Sequence, residues 1–303
     1  MGRNKKAVNK MTTQFEFEVF HGQLTPSLAH IYARVSSLPG GGLWTLSGQL
    51  RGPDCLFAKT LPATTLFVDA GHGPTLLAKA TLTDPCFWSI DVPFLYRLKI
   101  ELRNDGRLIA NHEQLWGPRF LGCRQRNFYW MNQRWVLRGV FRESVTDAPL
   151  SAWRDLATAM VVETPDEDLC LEASRHGVVL VAIVPASASA PTEVRRLAKW
   201  PAVAIVLFTS PLEATTELQS LAPNTILGTD SSQTAVETGK SSHAAMVDAE
   251  AMKVHVPPVA NKQTPLIICR RLQNKVLLEE ARAACDALQR DVVHHGDFAG
   301  YVV

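Results

Sequence analysis

Four carboxylates follow closely on apolar runs in the second half of this 303-residue chain: Glu143, Glu163, Glu213 and Asp230. Carboxyl side chains brought together at the ends of strands can donate a proton, accept one or attack an electrophile. Each also has a plainer reading. Glu213 suits the first turn of a helix opened by Pro211, where negative charge favours the helix dipole; the other three suit solvated positions. Other chemistry is poorly supplied. The six cysteines, Cys55, Cys86, Cys123, Cys170, Cys269 and Cys285, stand singly without a C-x-x-C pair. The nine histidines show no metal-ligand spacing, and His294-His295 reads as a solvated pair. Gly40-Gly-Gly42 is followed by no Lys-Ser or Lys-Thr, so it is a turn and not a phosphate loop. No cofactor and no metal are expected.

The elements that would position these carboxylates alternate buried strands with short amphipathic helices, the signal of a parallel sheet. Expected strands are Val136–Val140, Ala159–Glu163, Val178–Val184, Ala202–Phe208, Thr225–Leu227, Ala251–Val256, Pro265–Cys269 and Phe298–Val303. Eight would close a barrel. The longest helix is expected over Asn274–Arg290, with Leu277, Ala281, Ala284 and Leu288 at helical spacing. Such barrels usually take about 250 residues, and roughly 170 are available here, which leaves little chain for pocket-building loops.

The first half is built differently. Phe15–Phe20 and Tyr96–Arg103 alternate with period two, Tyr96, Leu98, Ile100 and Leu102 facing inward. Shorter strands are expected over Ala29–Val35, Leu43–Leu50, Leu56–Leu61, Thr65–Val68 and Leu76–Leu82. About seven short strands at this spacing argue for an immunoglobulin-like sandwich. Trp44, Trp88, Trp116 and Trp130 suit core packing, with a stacking platform for sugar rings as the alternative.

The two halves meet in Asn127–Ser144, where a hairpin turn around Asn132-Gln133 is followed by the buried run Trp135–Val140. Leu137-Arg-Gly-Val-Phe141-Arg-Glu143-Ser144 resembles the junction of the family 2 glycoside hydrolases (β-galactosidases, β-glucuronidases, β-mannosidases), with Phe141, Glu143 and Ser144 in place of that family's Asn, His and Glu. Phe87-Trp-Ser-Ile-Asp-Val-Pro-Phe-Leu-Tyr96 and Trp116-Gly-Pro-Arg119 are similar to two motifs that precede the junction in the same family. The resemblance implies an immunoglobulin-like β-sandwich over 15–126 followed by a compact (β/α)8 barrel of the TIM type over 127–303. A basic tail over 1–14 is expected to be disordered.

The resemblance also implies where chemistry belongs. Family 2 enzymes retain configuration with a general acid/base at the end of strand 4 and a nucleophile at the end of strand 7, two carboxyl groups about 5–5.5 Å apart. The matching stretch for strand 4, Trp200–Pro211, ends in Ser210-Pro211 where the family has Asn-Glu. The matching stretch for strand 7, Thr264–Arg271, places Arg270 at the nucleophile. Proline carries no acid or base, and arginine stays protonated. At strand 3 the family's Trp-Asp-Glu becomes Val181-Ala182-Ile183, and at strand 2 a substrate-binding turn shrinks to Glu163-Thr164-Pro165. The implied protein is a degenerate homologue without hydrolase activity, retained for binding or assembly. The rival is a hydrolase of β-glycosides whose carboxylates have moved to Glu143, Glu163, Glu213 or Asp230. A third reading is a decayed gene product that folds poorly.

Composition excludes other classes. A net charge of +2 with Lys and Arg scattered through both halves gives no footprint for nucleic acid. No window reaches the roughly 18 apolar residues of a membrane span. Single cysteines and a polar start fit a reduced cytoplasmic setting. The expected partners are a carbohydrate or a protein subunit, the latter covering the end of the last strand. Two structural expectations follow: Arg138, in an apolar run, must face a carboxylate or carbonyls inside the barrel, and Pro211 and Arg270 must share one end of it.

Overall fold

The computed structural model describes residues 15–71, 75–142, 148–210, 215–232, 243–254, 263–272 and 276–303. The tail 1–14, Glu143, Ser144, Pro211 and Glu213 therefore lie outside the described residues. Seven antiparallel strands come first: β1 (Phe17–Thr25), β2 (Leu28–Val35), β3 (Trp44–Asp54), β4 (Ala63–Asp69), β5 (Leu76–Thr83), β6 (Leu95–Asn104) and β7 (Arg107–Trp116). Their order is β1-β2-β5-β4-β3-β6-β7. Because β4 pairs β5 on one side and β3 on the other, the sheet curls into two layers, β1-β2-β5-β4 against β3-β6-β7. That is the strand arrangement of a constant-type immunoglobulin sandwich. Alternate residues fill the space between the layers, among them Ile31, Val35, Leu46, Leu50, Leu98, Ile100 and Leu102.

Leu56–Leu61, expected as a strand, is an irregular segment with Leu56 and Leu61 exposed. Strand β3, which leads into this segment, already has β4 on one edge and β6 on the other, so the segment cannot pair back on it. The tryptophans follow the packing reading: Trp88, Trp116 and Trp130 are buried, and Trp44 packs against Phe15.

A small sheet of β8 (Leu121–Arg124), β9 (Asn127–Trp130) and β10 (Gln133–Trp135) joins the halves. Met131 and Asn132 both take left-handed conformations, with φ of 50° and 63°, as a tight two-residue hairpin turn requires. The turn falls one residue earlier than its composition suggests.

The second half closes as a parallel barrel of β11 (Leu137–Arg142), β12 (Ala159–Glu163), β13 (Leu180–Val184), β14 (Val203–Phe208), β15 (Ile226–Asp230), β16 (Ala244–Asp248), β17 (Leu266–Cys269) and β18 (Gly300–Val302). Around it lie α1 (Leu150–Asp155), α2 (Glu167–His176), α3 (Ala190–Ala198), α4 (Thr215–Leu221), α5 (Ala249–Val254) and α6 (Ala281–Val292). The sixth strand is Ala244–Asp248, and the expected strand Ala251–Val256 falls largely on α5. Asp248 explains the error: its carboxylate accepts from the backbone N–H of Glu250 (2.8 Å) and Ala251 (3.2 Å), starting a helix where apolar residues alone suggested a strand. The last helix begins at Ala281 after a short 3-10 turn, so Leu277 is exposed and Cys285 takes a buried place that helical spacing had not given it.

Arg138 meets a carboxylate, but outside the barrel. It donates to Asp286 (2.9 Å) and Gln289 on α6 and lies 4.9 Å from the Tyr301 ring centroid. The inward positions of β11 are Leu137, Gly139 and Phe141. A Cβ at Gly139 would stand 3.1 Å from Val161 and 3.2 Å from Val302, whose side chains fill the interior at that level.

The sandwich is seated on the amino-terminal end of the barrel. Trp88, wholly buried, donates its indole N–H to the Ser174 carbonyl near the end of α2 (2.7 Å). Arg119 is buried and donates to the carbonyls of Pro201 (2.7 Å), Val203 and Asn224 (2.8 Å) and to the Thr225 hydroxyl (3.2 Å), gripping the entries to β14 and β15. Burial, with no carboxylate among these partners, lowers its pKa to about 9, which leaves it cationic at neutral pH. Asn224 also bonds the His21 backbone in both directions, at 2.7 and 2.9 Å. Arg134 reaches Asp297 just before β18 (2.6 Å), and Cys123 meets the His243 carbonyl just before β16. The small sheet thus covers the amino-terminal mouth.

Candidate functional site

The opposite, carboxyl-terminal end is where a barrel of this type places its chemistry, because side chains at the strand tips converge there. Strand β15 ends in Asp230, whose side chain is almost fully buried and accepts from the Ser232 backbone N–H (2.9 Å), an Asx turn that fixes its rotamer. Facing it is Arg271, just beyond β17, with Nη2 3.8 Å from Asp230 Oδ2 and its guanidinium carbon 4.1 Å from the Phe141 ring centroid. One cation therefore spans the mouth from β17 to β15 and β11. Below it, Cys269 is wholly buried. Burial first, then the charges of Asp230 and Asp248, push its thiol far above the ordinary range, against the Ser232 hydroxyl and Arg271, which favour the thiolate. A thiol so held is no nucleophile at neutral pH.

Arg270 stands at the carboxyl end, as the motif spacing requires, but turns away from the axis. Its guanidinium pairs with Asp291 on α6 (2.8 Å) and Glu250 on α5 (3.5 Å). The interior face of this strand belongs to Cys269 and Arg271. Ser210 lies exposed two residues beyond β14, also at the carboxyl end. Glu163, the last residue of β12, is exposed and shares the inward face of Val161 by strand alternation. Of the four carboxylates singled out in the sequence, Glu163 and Asp230 are described, both at this mouth; Glu143 and Glu213 are not. Counting alternate residues back from Arg271 through Cys269 to Ile267 would have picked out Arg271 from sequence.

Chemically, the described mouth offers one buried carboxylate already engaged by a backbone N–H and a nearby cation, the half-buried Asp248 at the tip of β16, which is occupied in capping α5, one exposed carboxylate, and hydroxyls. Among the described residues, no three His, Cys, Asp or Glu side chains gather as metal ligands, and no helix is long and apolar enough to cross a membrane.

No protein-family profile matches the chain, and no curated protein matches it by sequence. Its fold does match solved structures. The chain superposes on the Bifidobacterium dentium β-glucuronidase solved with coumarin-3-O-glucuronide (TM-score 0.61, 13% identity), covering 95% of this chain and 60% of that one. It is similar to a glycosyl hydrolase family 2 member from Bacteroides cellulosilyticus (TM-score 0.62, 12% identity, 95% of this chain and 43% of that one). A putative β-galactosidase from Bacteroides fragilis matches over 94% of this chain and 54% of its own, at TM-score 0.56 and 13% identity. The chain thus has the fold of β-glycosidases over about half their length.

Proposed function

We propose that this chain is a shortened, catalytically degenerate homologue of the family 2 glycoside hydrolases, retained for binding or assembly and not for hydrolysis. The observation that carries the reading is the mouth itself: a retaining mechanism needs two facing carboxyl groups about 5–5.5 Å apart, and here Arg271 occupies the space between Asp230 and Phe141. A fixed cation opposes the positive charge that builds on a sugar ring as its glycosidic bond breaks. The motif positions Ser210-Pro211 and Arg270 supply neither acid nor nucleophile. Carbohydrate or a protein subunit is the partner class that ancestry suggests.

The test is hydrolysis of aryl β-galactosides, β-glucuronides and β-mannosides by the full chain, with no turnover above background expected. General acid–base assistance alone contributes about 10²–10⁴ in rate, so restoring one carboxylate with Pro211→Glu leaves the protein inactive. A second reading, hydrolysis by relocated carboxylates, is favoured by Asp230 and Glu163 sharing this mouth. Turnover that Asp230→Asn or Glu163→Gln abolishes would establish it and overturn the proposal.

A further inference from the structure

We propose that a cleft in the sandwich, remote from the barrel mouth, binds a small oxyanion carrying two or more negative charges. The cleft, of about 550 Å³, lies where the end of β3, the 55–62 segment and α2 come together, a size ordinary for small-molecule sites. Three arginines line it: Arg51 on β3, Arg97 on β6 and Arg175 on α2. Arg51 and Arg97 are direct cross-strand partners, so they share one face at close range, an arrangement that destabilises a sheet when the charges are alike.

The rest of this face avoids that arrangement. Lys99, two residues along β6, stands 3.6 Å from Glu113 and 3.9 Å from Glu101, and Arg103 bonds Glu101 at 2.7 Å. Arg51 and Arg97 have Thr64 and Leu115 as their other cross-strand neighbours, and among the described residues neither guanidinium makes an ion pair or hydrogen bond. Arg175 donates one nitrogen to Glu172 (2.9 Å), and the lining carries one carboxylate, Asp54, against the three guanidiniums.

The wall is held in place. Phe57 lies under Arg154, 3.6 Å from ring centroid to guanidinium carbon, and edge-on to His176. Leu95, Leu115, Pro62 and Pro93 are among the apolar residues of the lining, and bonds from a guanidinium to an anion are charge-assisted. Planar guanidiniums from two strands and a helix lining one cleft fit a diphosphate or a polycarboxylate, each of which presents several oxygens to bidentate donors.

The experiment is isothermal titration calorimetry of the full chain at fixed ionic strength with inorganic pyrophosphate, with citrate, and with acetate as the singly charged control. Saturable binding of pyrophosphate or citrate, and none of acetate, is expected; whichever of the two binds tells phosphate from carboxylate chemistry. Arg51→Gln and Arg97→Gln each weaken that binding by about ten-fold or more. Arg103→Gln, whose arginine is already paired, leaves it unchanged. Both test residues are exposed and each substitution removes a like-charge neighbour, so the fold is kept. The proposal is overturned if neither multivalent anion binds saturably to the unaltered chain, or if both glutamine variants bind as tightly as it does.

Discussion

The two ends of the barrel are held by arginines that do opposite things. At the amino-terminal end Arg119 is buried, and four oxygens on the entries to β14 and β15 receive its N–H groups. At the carboxyl-terminal end Arg271 is partly exposed, stacks on Phe141 and meets Asp230 only at 3.8 Å. The first is a constraint on how two domains fit; the second fills a space. The motifs that resemble family 2 glycosidases in wording, around Trp88, Arg119 and Arg138, belong to packed or bonded positions. The described positions that depart from it, Phe141, Ser210 and Arg270, stand at the carboxyl-terminal end. Packing of a sandwich on a barrel is therefore independent of what the far end carries, because no described bond from the seam depends on the strand tips.

Breaking the seam has the largest expected effect. Arg119→Ala removes four donors and leaves the carbonyls of Pro201, Val203 and Asn224 to find other partners in a buried place, at a cost of about 3 kcal/mol. Arg119→Lys keeps the charge but not the fork, and recovers only part of the loss. Urea unfolding followed by far-UV circular dichroism measures both. An Arg119→Ala variant as stable as the parent would remove the seam's claim to be the stronger constraint.

Much of this was legible in sequence because half-buried strands announce themselves by alternation: β2, β5 and β6 bury every second residue as their composition dictates. Eight parallel strands were legible as apolar runs, but β16 was displaced, since the signal that separates strand from helix there is one capping carboxylate, Asp248. The site was less legible for a related reason. A side chain's face has period two, so a motif matched without gaps fixes a residue's height on a strand better than its direction. Arg270 is at the expected height and faces α5 and α6, while its neighbour Arg271 takes the interior. No local pattern brings Asp230, Arg271 and Phe141 together from three strands; only closure of the barrel does.

A pH change sharpens the contrast with a medium effect. His21, at the seam beside Asn224 and Arg119, has its pKa lowered to about 4, chiefly by burial and further by the Arg119 charge, against the raising effect of the Gly22 carbonyl. An unfolded histidine takes up its proton near pH 6.5, so between about 6.5 and 4 the unfolded chain binds more protons and the fold weakens as pH falls. The loss grows as pH falls across that window and is absent above it. In His21→Gln this contribution to the pH dependence disappears, while the backbone bonds to Asn224 remain available. Urea midpoints at pH 7.5 and 4.5 for the two proteins report the difference; equal pH dependence would mean that His21 is solvated.

The smallest effect belongs to the mouth, and its smallness is the point. Arg271 keeps 36% of its side chain exposed, and its distance of 3.8 Å from Asp230 is that of a loose ion pair without a hydrogen bond. Water screens such a pair, and pairs of this kind are worth about 0–1 kcal/mol. The stack on Phe141 adds a contribution of the same order, about 0.5–1 kcal/mol at an exposed site. Asp230 retains the Ser232 N–H when Arg271 is gone, so no buried carboxylate is left without a donor. Arg271→Gln is therefore expected to lower stability by about 1 kcal/mol, roughly a third of the Arg119→Ala loss. The same urea titration measures it. A loss as large as that of Arg119→Ala would show the cation to be a structural keystone of the barrel, and the two ends would then differ in exposure but not in what they hold together.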